Sequence, residues 1–255
     1  IQNVGVGARV KLVVGMIMAA LGVKGKLSPL KLDDLKSEDN SNDNDSETML
    51  RKIKSFLQEK NLSQVKQDMV MNVLRGIFVD YHLWKPHNAQ SHLKTIYKMV
   101  LENIMPYLSN NKYHLDFTGQ LFNVLNRYVD IPDGEKNDVV LTPRYVCELM
   151  AKLCEVNKDS FVWDYTLGTG GFLIASMNLM IQDAQESIKS KDELQRKIYH
   201  IKTRQLLGIE KRQDITLLAI LNMILMGDGS ANVLNQDSLT EFDGNYPDKI
   251  NGEYK

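Results

Sequence analysis

The chain has 255 residues, of which 43% are hydrophobic and 25% are charged, and its formal net charge is -1. These values are typical of a globular protein with one large domain or two ordinary ones. A net charge this close to zero argues against a protein whose whole surface attracts nucleic acid, although a local basic face would be compatible with it.

The first predicted element is an apolar helix over residues 8–21. Arg9 and Lys11 ahead of an apolar run also resemble the start of a signal peptide, but the shortness of the run favours a buried helix. No apolar stretch approaches the roughly 18 residues that would span a membrane, so we expect a cytoplasmic protein. Because the chain begins at Ile1 rather than Met, we expect a fragment or a processed chain.

Residues 1–116 are predicted to form a helical domain. An acidic stretch at about 33–47 lacks apolar periodicity and is expected to be a mobile loop or linker. Apolar residues at three- and four-residue spacing then predict three amphipathic helices. Their apolar positions run from Met49 to Leu57, from Val65 to Phe78 and from Leu93 to Ile104. Three histidines between the last two helices lack the spacing of a metal site, and neither cysteine belongs to a zinc pattern, so no metal is expected.

Residues 117–255 alternate helices with short apolar strands. A helix is predicted over residues 117–129, and Thr142 and Pro143 suit the N-cap and the first position of the next helix. Three strands follow, ending in Asp164, Glu210 and Asp237. Since helices separate these strands, βαβ crossovers and a parallel sheet are expected, and the fold class is α/β.

A glycine cluster follows the first strand. Gly168-Thr169-Gly170-Gly171 begins four residues after Asp164, and a helix opens at Phe172. In an open α/β sheet, ligands bind at the carboxyl ends of the strands. Leu173 stands where a dinucleotide fingerprint needs its third glycine, and the phosphate-binding G-x-x-x-x-G-K-[S/T] pattern is absent.

The acid and the glycines fit S-adenosylmethionine better than a dinucleotide, because this cofactor has no pyrophosphate to hold. Asp164 can offset the ammonium of its amino-acid part, and backbone N–H groups can bind its carboxylate. Three carboxylates at one edge of a sheet repel one another unless donors lie between them. Ribose hydroxyls and an exocyclic amine are such donors.

Four motifs, taken in order, resemble the N6-adenine DNA methyltransferases, and most of all the modification subunit of type I restriction–modification systems. They are Thr142-Pro143-Arg144, Asp164-x-x-x-Gly168-Thr169-Gly170-Gly171-Phe172-Leu173, Leu207-Gly208-Ile209-Glu210 and Asn235-Gln236-Asp237-Ser238-Leu239. The resemblance covers about residues 117–239, and the helical part is more loosely similar to the family's amino-terminal domain. It implies a helical domain followed by the first half of a Rossmann-like, S-adenosylmethionine-dependent methyltransferase domain, with a parallel sheet and flanking helices.

The resemblance also implies roles for single residues and partners. Thr142 and Pro143 would wall the methionine end of S-adenosylmethionine, and Glu210 would bind the ribose hydroxyls. Asp237 would accept a hydrogen bond from the adenine amine, although a turn residue at a strand end is the alternative for it. The amino-acid part would be held by Asp164, Gly168, Thr169, Gly170 and Gly171. The implied partners are duplex DNA and the specificity and restriction subunits.

Two departures from the family pattern limit this reading. Tyr165-Thr166-Leu167 stands where the family usually has Pro-Ala-Cys, which alters the packing of the loop and removes no ligand group. The catalytic Asn/Asp-Pro-Pro-Tyr/Phe motif, which holds the flipped adenine, is absent, and Asn245-Tyr246-Pro247 is a poor match. We therefore expect no catalytic residue here and a domain truncated before that motif. An RNA or protein methyltransferase, and a non-catalytic assembly or DNA-binding module with a vestigial cofactor fold, stay open as alternatives.

Overall fold

The computed structural model describes residues 6–40, 42–60, 62–110, 142–225, 232–244, 249–250 and 253–254. The chain divides into two compact units, Ile1–Tyr113 and His114–Lys255. The predicted domain boundary after residue 116 and the helix predicted over residues 117–129 lie outside the described residues and stay predictions.

The first unit is built mainly from helices. Its elements are α1 (Val6–Ala20), α2 (Asp45–Glu59), α3 (Gln64–Phe78), α4 (Tyr81–Trp84), β1 (Pro86–His87), β2 (Gln90–Ser91), α5 (His92–Asn103) and α6 (Met105–Asn110). The apolar α1 packs against α2, α3 and α5, and it buries side chains on all sides. The three amphipathic helices predicted from apolar spacing are therefore confirmed, although Val65 is exposed rather than part of the buried face.

The acidic stretch at residues 33–47 is predicted to be a mobile loop or linker; its described part over residues 35–40 and 42–44 is a loop, but buried residues anchor it. Leu35 is fully buried, and Asp45, the first residue of α2, is only 1% exposed. The Asp45 carboxylate accepts hydrogen bonds from the Ser37 N–H at 2.9 Å, from the Ser37 hydroxyl at 3.0 Å and from the Ser91 hydroxyl. The sequence pattern missed this packing because one leucine and one carboxylate carry it, which is too little to show a period.

The second unit is a mixed α/β structure. Its elements are α7 (Arg144–Leu153), β3 (Val162–Asp164), α8 (Gly171–Ser187), α9 (Lys191–Arg204), β4 (Leu206–Glu210), α10 (Gln213–Leu225), β5 (Val233–Asn235), β6 (Lys249–Ile250) and β7 (Glu253–Tyr254). Strands β3, β4 and β5 form a parallel sheet in that order, and β6 pairs antiparallel with β7. The predicted α/β class and parallel sheet are confirmed.

The register of the parallel sheet decides what meets at its carboxyl edge. Asp164 pairs with Gly208, and Glu210 pairs with Asn235. β4 lies between the other two strands and is buried up to Glu210, whereas Trp163 on β3 is 49% exposed. The third strand was predicted to end at Asp237 but ends at Asn235, so Asp237 stands in the turn that follows.

Two further findings bear on the kind of protein this is. In the ranges that the structure describes, no helix is long and apolar enough to cross a membrane. Over the same ranges, no three histidine, cysteine, aspartate or glutamate side chains converge as metal ligands would.

Candidate cofactor-binding site

The three acids predicted as site residues lie at the carboxyl edge of the parallel sheet. Asp164 is the last residue of β3, Glu210 is the last residue of β4, and Asp237 follows β5 by two residues. The negative charge of Glu210 contributes to raising the pKa of Asp164, so these two carboxylates interact across the strand pair. Because the strands are parallel neighbours, one ligand at this edge can reach side chains from all three.

Asp164 has one satisfied and one unsatisfied carboxylate oxygen. Oδ1 accepts a hydrogen bond from the Thr166 N–H at 3.1 Å, whereas Oδ2 is buried and receives no hydrogen bond from any described residue. Burial raises the pKa of the Asp164 carboxyl, the Thr166 N–H partly offsets this rise, and Glu210 adds to it. A buried acceptor without a donor is unfavourable, so this position suits a ligand that brings a cation or a donor.

The glycine loop between β3 and α8 is fixed to β4 beneath it. The Leu167 N–H donates to the Ile209 carbonyl at 3.0 Å, and the Leu167 side chain lies so close to Gly208 that a Cβ there would be 2.5 Å from Leu167 Cδ1. Gly168 and Gly170 have φ of 56° and 88°, a region that glycine adopts without strain. The loop therefore needs glycine at these positions and beneath Leu167.

A buried asparagine of α10 holds the loop from a second side. Asn222 Nδ2 donates to the Thr169 carbonyl at 2.9 Å. Gly170 is the N-cap of α8 and supplies no side-chain acceptor. Since the first N–H groups of a helix lack intrahelical acceptors, the start of α8 offers donors for an anion. The sequence contains no signal for the Asn222 anchor, because it joins residues far apart in the chain.

Glu210 braces the glycine loop through its carboxylate. Oε2 accepts the Gly168 N–H at 3.1 Å, and Oε1 accepts the Arg212 N–H at 2.8 Å. A carboxylate can accept about four hydrogen bonds, so each oxygen keeps capacity for one more. The predicted acid is thus oriented by two backbone amides, and its carboxylate keeps acceptor capacity for two further hydrogen bonds.

The Asp237 carboxylate is held by a lysine that follows β4 and by a backbone amide of its own turn. Lys211 Nζ lies 2.8 Å from Oδ2, and the Leu239 N–H donates to Oδ1 at 2.9 Å. These two hydrogen bonds, with the charge of Lys211, lower the pKa of Asp237 to about 2. The contact with Leu239 is that of a turn residue, the alternative that the sequence left open. The sequence does not predict Lys211 as a site residue, because only its position next to Glu210 points to the site.

Thr142 and Pro143 precede α7, and the helix begins one residue later than the sequence predicts. The carbonyl of Pro143 accepts the first helical hydrogen bond, from Val146, so Pro143 is the N-cap and the helix begins at Arg144. Thr142 Oγ1 therefore does not cap the helix, because the cap position lies one residue later. The Cys147 thiol donates to the Thr142 carbonyl over 4.0 Å, and a Cβ on Gly171 would lie 3.2 Å from Cys147 Sγ. The Cys147 side chain thus lies close to Thr142, which precedes α7, and to Gly171, the first residue of α8.

In open α/β proteins, the carboxyl edge of a parallel sheet is where cofactors and nucleotides bind, and here a glycine loop and paired acids lie at that edge. The chain belongs to the N-6 DNA methylase family, whose model matches residues 115–250. The resemblance that the four motifs carry is therefore confirmed at the level of the family.

One curated relative is the type II restriction enzyme and methyltransferase RM.BcgI of Heyndrickxia coagulans, with 37% identity over 137 residues. The match covers 54% of this chain and 20% of that protein, so the chain spans about a fifth of its length. A solved modification subunit of a putative type I restriction enzyme from Vibrio vulnificus YJ016 is 14% identical, with a TM-score of 0.49 over 91% of this chain and 49% of that one.

Proposed function

We propose that this chain provides the S-adenosylmethionine-binding part of a DNA adenine N6-methyltransferase in a restriction–modification system. The observation that carries the proposal is the buried Oδ2 of Asp164, which lies beside the glycine loop and has no hydrogen-bond partner among the described residues. Membership of the N-6 DNA methylase family supports the reaction class. The sheet and its flanking helices are assigned to the first half of a Rossmann-like domain, residues 117–255, after a helical domain of residues 1–116.

The amino-acid part of the cofactor fits the charges at the loop. Its ammonium would bind Asp164, which offsets the cost of burying that carboxylate. Its carboxylate would bind the amide groups at Gly168–Gly171 and the start of α8. Gly168 and Gly170 adopt a positive φ that favours glycine, and because glycine has no side chain, none occupies this space at either position.

The nucleoside part fits the other two strands. Glu210 has two acceptor positions left after its contacts with Gly168 and Arg212, which matches two ribose hydroxyls. Asp237 would accept from the adenine amine, sharing its carboxylate with Lys211. Thr142 and Pro143 would wall the methionine end, next to the glycine loop.

The cofactor supplies a methyl group activated by its sulfonium, and these residues bind and orient it. The sequence has no Asn/Asp-Pro-Pro-Tyr/Phe motif. The groups that would hold the flipped adenine are therefore not assigned to any residue of this sequence. Duplex DNA and specificity and restriction subunits are the proposed partners, in the cytoplasm. The type I arrangement is preferred on the motif order, whereas the relative RM.BcgI is a type II restriction enzyme and methyltransferase.

The test is methyl transfer by the full-length protein together with its specificity subunit. Radiolabelled cofactor and unmethylated duplex DNA are incubated, and the nucleosides are separated. We expect label in N6-methyladenine, and we expect no transfer by residues 1–255 alone. Label in RNA or protein would replace the DNA assignment, and a full-length protein that binds no cofactor would indicate an assembly or DNA-binding module.

A further inference from the structure

We propose that Asn235 is a positioning residue of the cofactor site that acts through Glu210, an inference that rests on the proposed function. Asn235 closes β5 and lies opposite Glu210 in the parallel register. Its Nδ2 lies 2.9 Å from the Glu210 carbonyl, 2.9 Å from the Lys211 carbonyl and 3.1 Å from Thr216 Oγ1. One side-chain amide thus holds the turn that leads out of β4.

The partners of Asn235 fix which way its amide faces. Two of the three are backbone carbonyls, which accept hydrogen bonds and cannot donate. The NH₂ group must therefore face the turn, since the opposite orientation would set Oδ1 against two carbonyl oxygens. A carboxylate of the same size would be repelled at this position, so the requirement is for a donor and not merely for a polar group.

A second side chain strengthens the same turn. The hydroxyl of Thr216, which is fully buried on α10, lies 3.2 Å from the Glu210 carbonyl and 2.9 Å from the Arg212 carbonyl. The Gln236 N–H also reaches the Glu210 carbonyl, at 3.2 Å. The turn from Glu210 to Arg212 is therefore tied both to β5 and to α10.

This turn sets the direction of the Glu210 carboxylate. The Arg212 N–H, which the turn presents, holds Oε1 at 2.8 Å, and the opposite oxygen then receives the Gly168 N–H at 3.1 Å. The contacts run from Asn235 through the turn to Glu210 and on to the glycine loop. Loss of the Asn235 amide removes two of the hydrogen bonds to the turn carbonyls and loosens the turn, so the carboxylate meets the ribose hydroxyls and Gly168 in a less fixed orientation.

The test is a double-mutant cycle on the full chain, with the dissociation constant for S-adenosylmethionine measured by titration calorimetry. Asn235→Leu keeps a side chain that branches at the γ-carbon with the same number of heavy atoms and removes the donor, and Glu210→Ala removes the group through which it acts. We expect Asn235→Leu to weaken binding by about tenfold in the wild type and to have almost no further effect in the Glu210→Ala background, because coupled residues are non-additive. Equal effects in both backgrounds would overturn the positioning role.

Asn232 offers a matched control at the opposite end of the same strand. It is 1% exposed, and its Nδ2 donates to the Lys202 carbonyl at 2.8 Å. Asn232→Leu removes a buried asparagine contact without touching the carboxyl edge, so the dissociation constant should stay that of the wild type. An equal loss of affinity in Asn232→Leu would mean that Asn235 is only structural.

Two further measurements keep the inference testable if Asn235→Leu folds poorly. Thr216→Val is nearly isosteric and should weaken cofactor binding in the same direction by a smaller factor. Hydrogen exchange at the Gly168 amide should rise in both variants without any cofactor present, and unchanged exchange would contradict the proposal. A wild type that binds no cofactor overturns the proposed function and this inference together, whereas wild-type binding with an unchanged constant in Asn235→Leu overturns only the inference.

Discussion

The carboxylate of Asp164 shows how one residue can be held in place and still be ready for a ligand. The Thr166 N–H fixes Oδ1, so the side chain has a defined direction before any ligand binds. Oδ2 has no such donor among the described residues, and its burial disfavours the charged form. A cationic ligand would remove this cost, which links the stability of the site to its binding.

Replacing Asp164 with Asn should stabilise the folded protein at neutral pH. The raised pKa means that the folded state disfavours the ionised carboxyl, mainly through burial. The cost is absent below the ordinary pKa of 3.8, where both states are protonated, and complete above the raised pKa. Urea unfolding of both proteins from pH 4 to pH 7 should therefore show an advantage of Asp164→Asn that grows with pH. A difference that does not change with pH would contradict this view.

The sequence predicts the acids of the site better than it predicts their supports. Asp164 and Glu210 are visible because each ends a short apolar strand, and strand ends are set by local pattern. The contacts of Asn235 and Asn222 join distant segments and depend on strand register and helix packing, which no local pattern records. Lys211 is likewise an ordinary exposed lysine until β4 and β5 are placed side by side.

At the scale of elements, the glycine loop and β4 behave as one unit because Leu167 covers Gly208. Leu167 is 3% exposed, so it cannot move into solvent without losing buried contacts. A side chain on Gly208 has no room unless the loop moves. The close approach of the loop to β4 therefore depends on Gly208. In the sequence, Gly208 is visible only as one residue of the motif Leu207-Gly208-Ile209-Glu210.

Replacing Gly208 with Ala should therefore disturb the loop. The new Cβ would lie 2.5 Å from Leu167 Cδ1 and 2.7 Å from Cδ2. Overpacking of this kind costs about 1–3 kcal/mol of folding free energy. Because the loop shifts with Leu167, cofactor affinity measured by calorimetry should fall by about tenfold or more.

Gly76 on α3 provides the control for that change. A Cβ there meets no atom within 4 Å, and alanine in a helix interior is worth about 0.5–1 kcal/mol over glycine. Gly76→Ala should stabilise the protein slightly and leave cofactor affinity unchanged. Retention of wild-type affinity by Gly208→Ala would show that the position of Leu167 does not matter for binding.

Element boundaries were predictable where the pattern was regular and were displaced where it was not. The helices at α2, α3 and α5 follow from apolar spacing, and β4 follows from a continuous buried run. The start of α7 differs by one residue, since Thr142 and Pro143 are both compatible with a cap and only the hydrogen bond to the Pro143 carbonyl decides. β5 ends at Asn235, two residues before the end that the sequence predicts.

At the scale of the whole molecule, the chain has two units, and each has its own buried polar contacts. In the first unit, Asp45 joins α2 to the segment before it and to the residue that caps α5. This explains why an acidic stretch that reads as a linker is packed. The composition of a segment describes its average polarity and does not show single buried contacts. Here the hydrogen bonds of Asp45 with Ser37 and Ser91 anchor a segment that is polar on average.

Replacing Asp45 with Ala should destabilise the first unit. The change leaves the Ser37 N–H and the hydroxyls of Ser37 and Ser91 without this acceptor, which costs about 1–3 kcal/mol. Hydrogen exchange of α2 amides should rise, while the dissociation constant for S-adenosylmethionine stays that of the wild type. Asp43→Ala is the control, because its pair with Arg51 is exposed and worth little. Wild-type exchange in Asp45→Ala would mean that the segment is held by other contacts.

The most direct test of the account is a calorimetric titration of S-adenosylmethionine into the wild type and Asp164→Asn. The variant can keep an acceptor for the Thr166 N–H, but it loses the charge and replaces the second carboxylate oxygen with an NH₂ donor. A hydrogen bond to a charged group is worth about 1.5–3 kcal/mol, so affinity should fall by roughly 10- to 150-fold. The control is Asp183→Asn, because the Asp183 carboxylate pairs with Lys158 on the surface. This variant should bind like the wild type. Equal dissociation constants for the wild type and Asp164→Asn would contradict the assignment of the site.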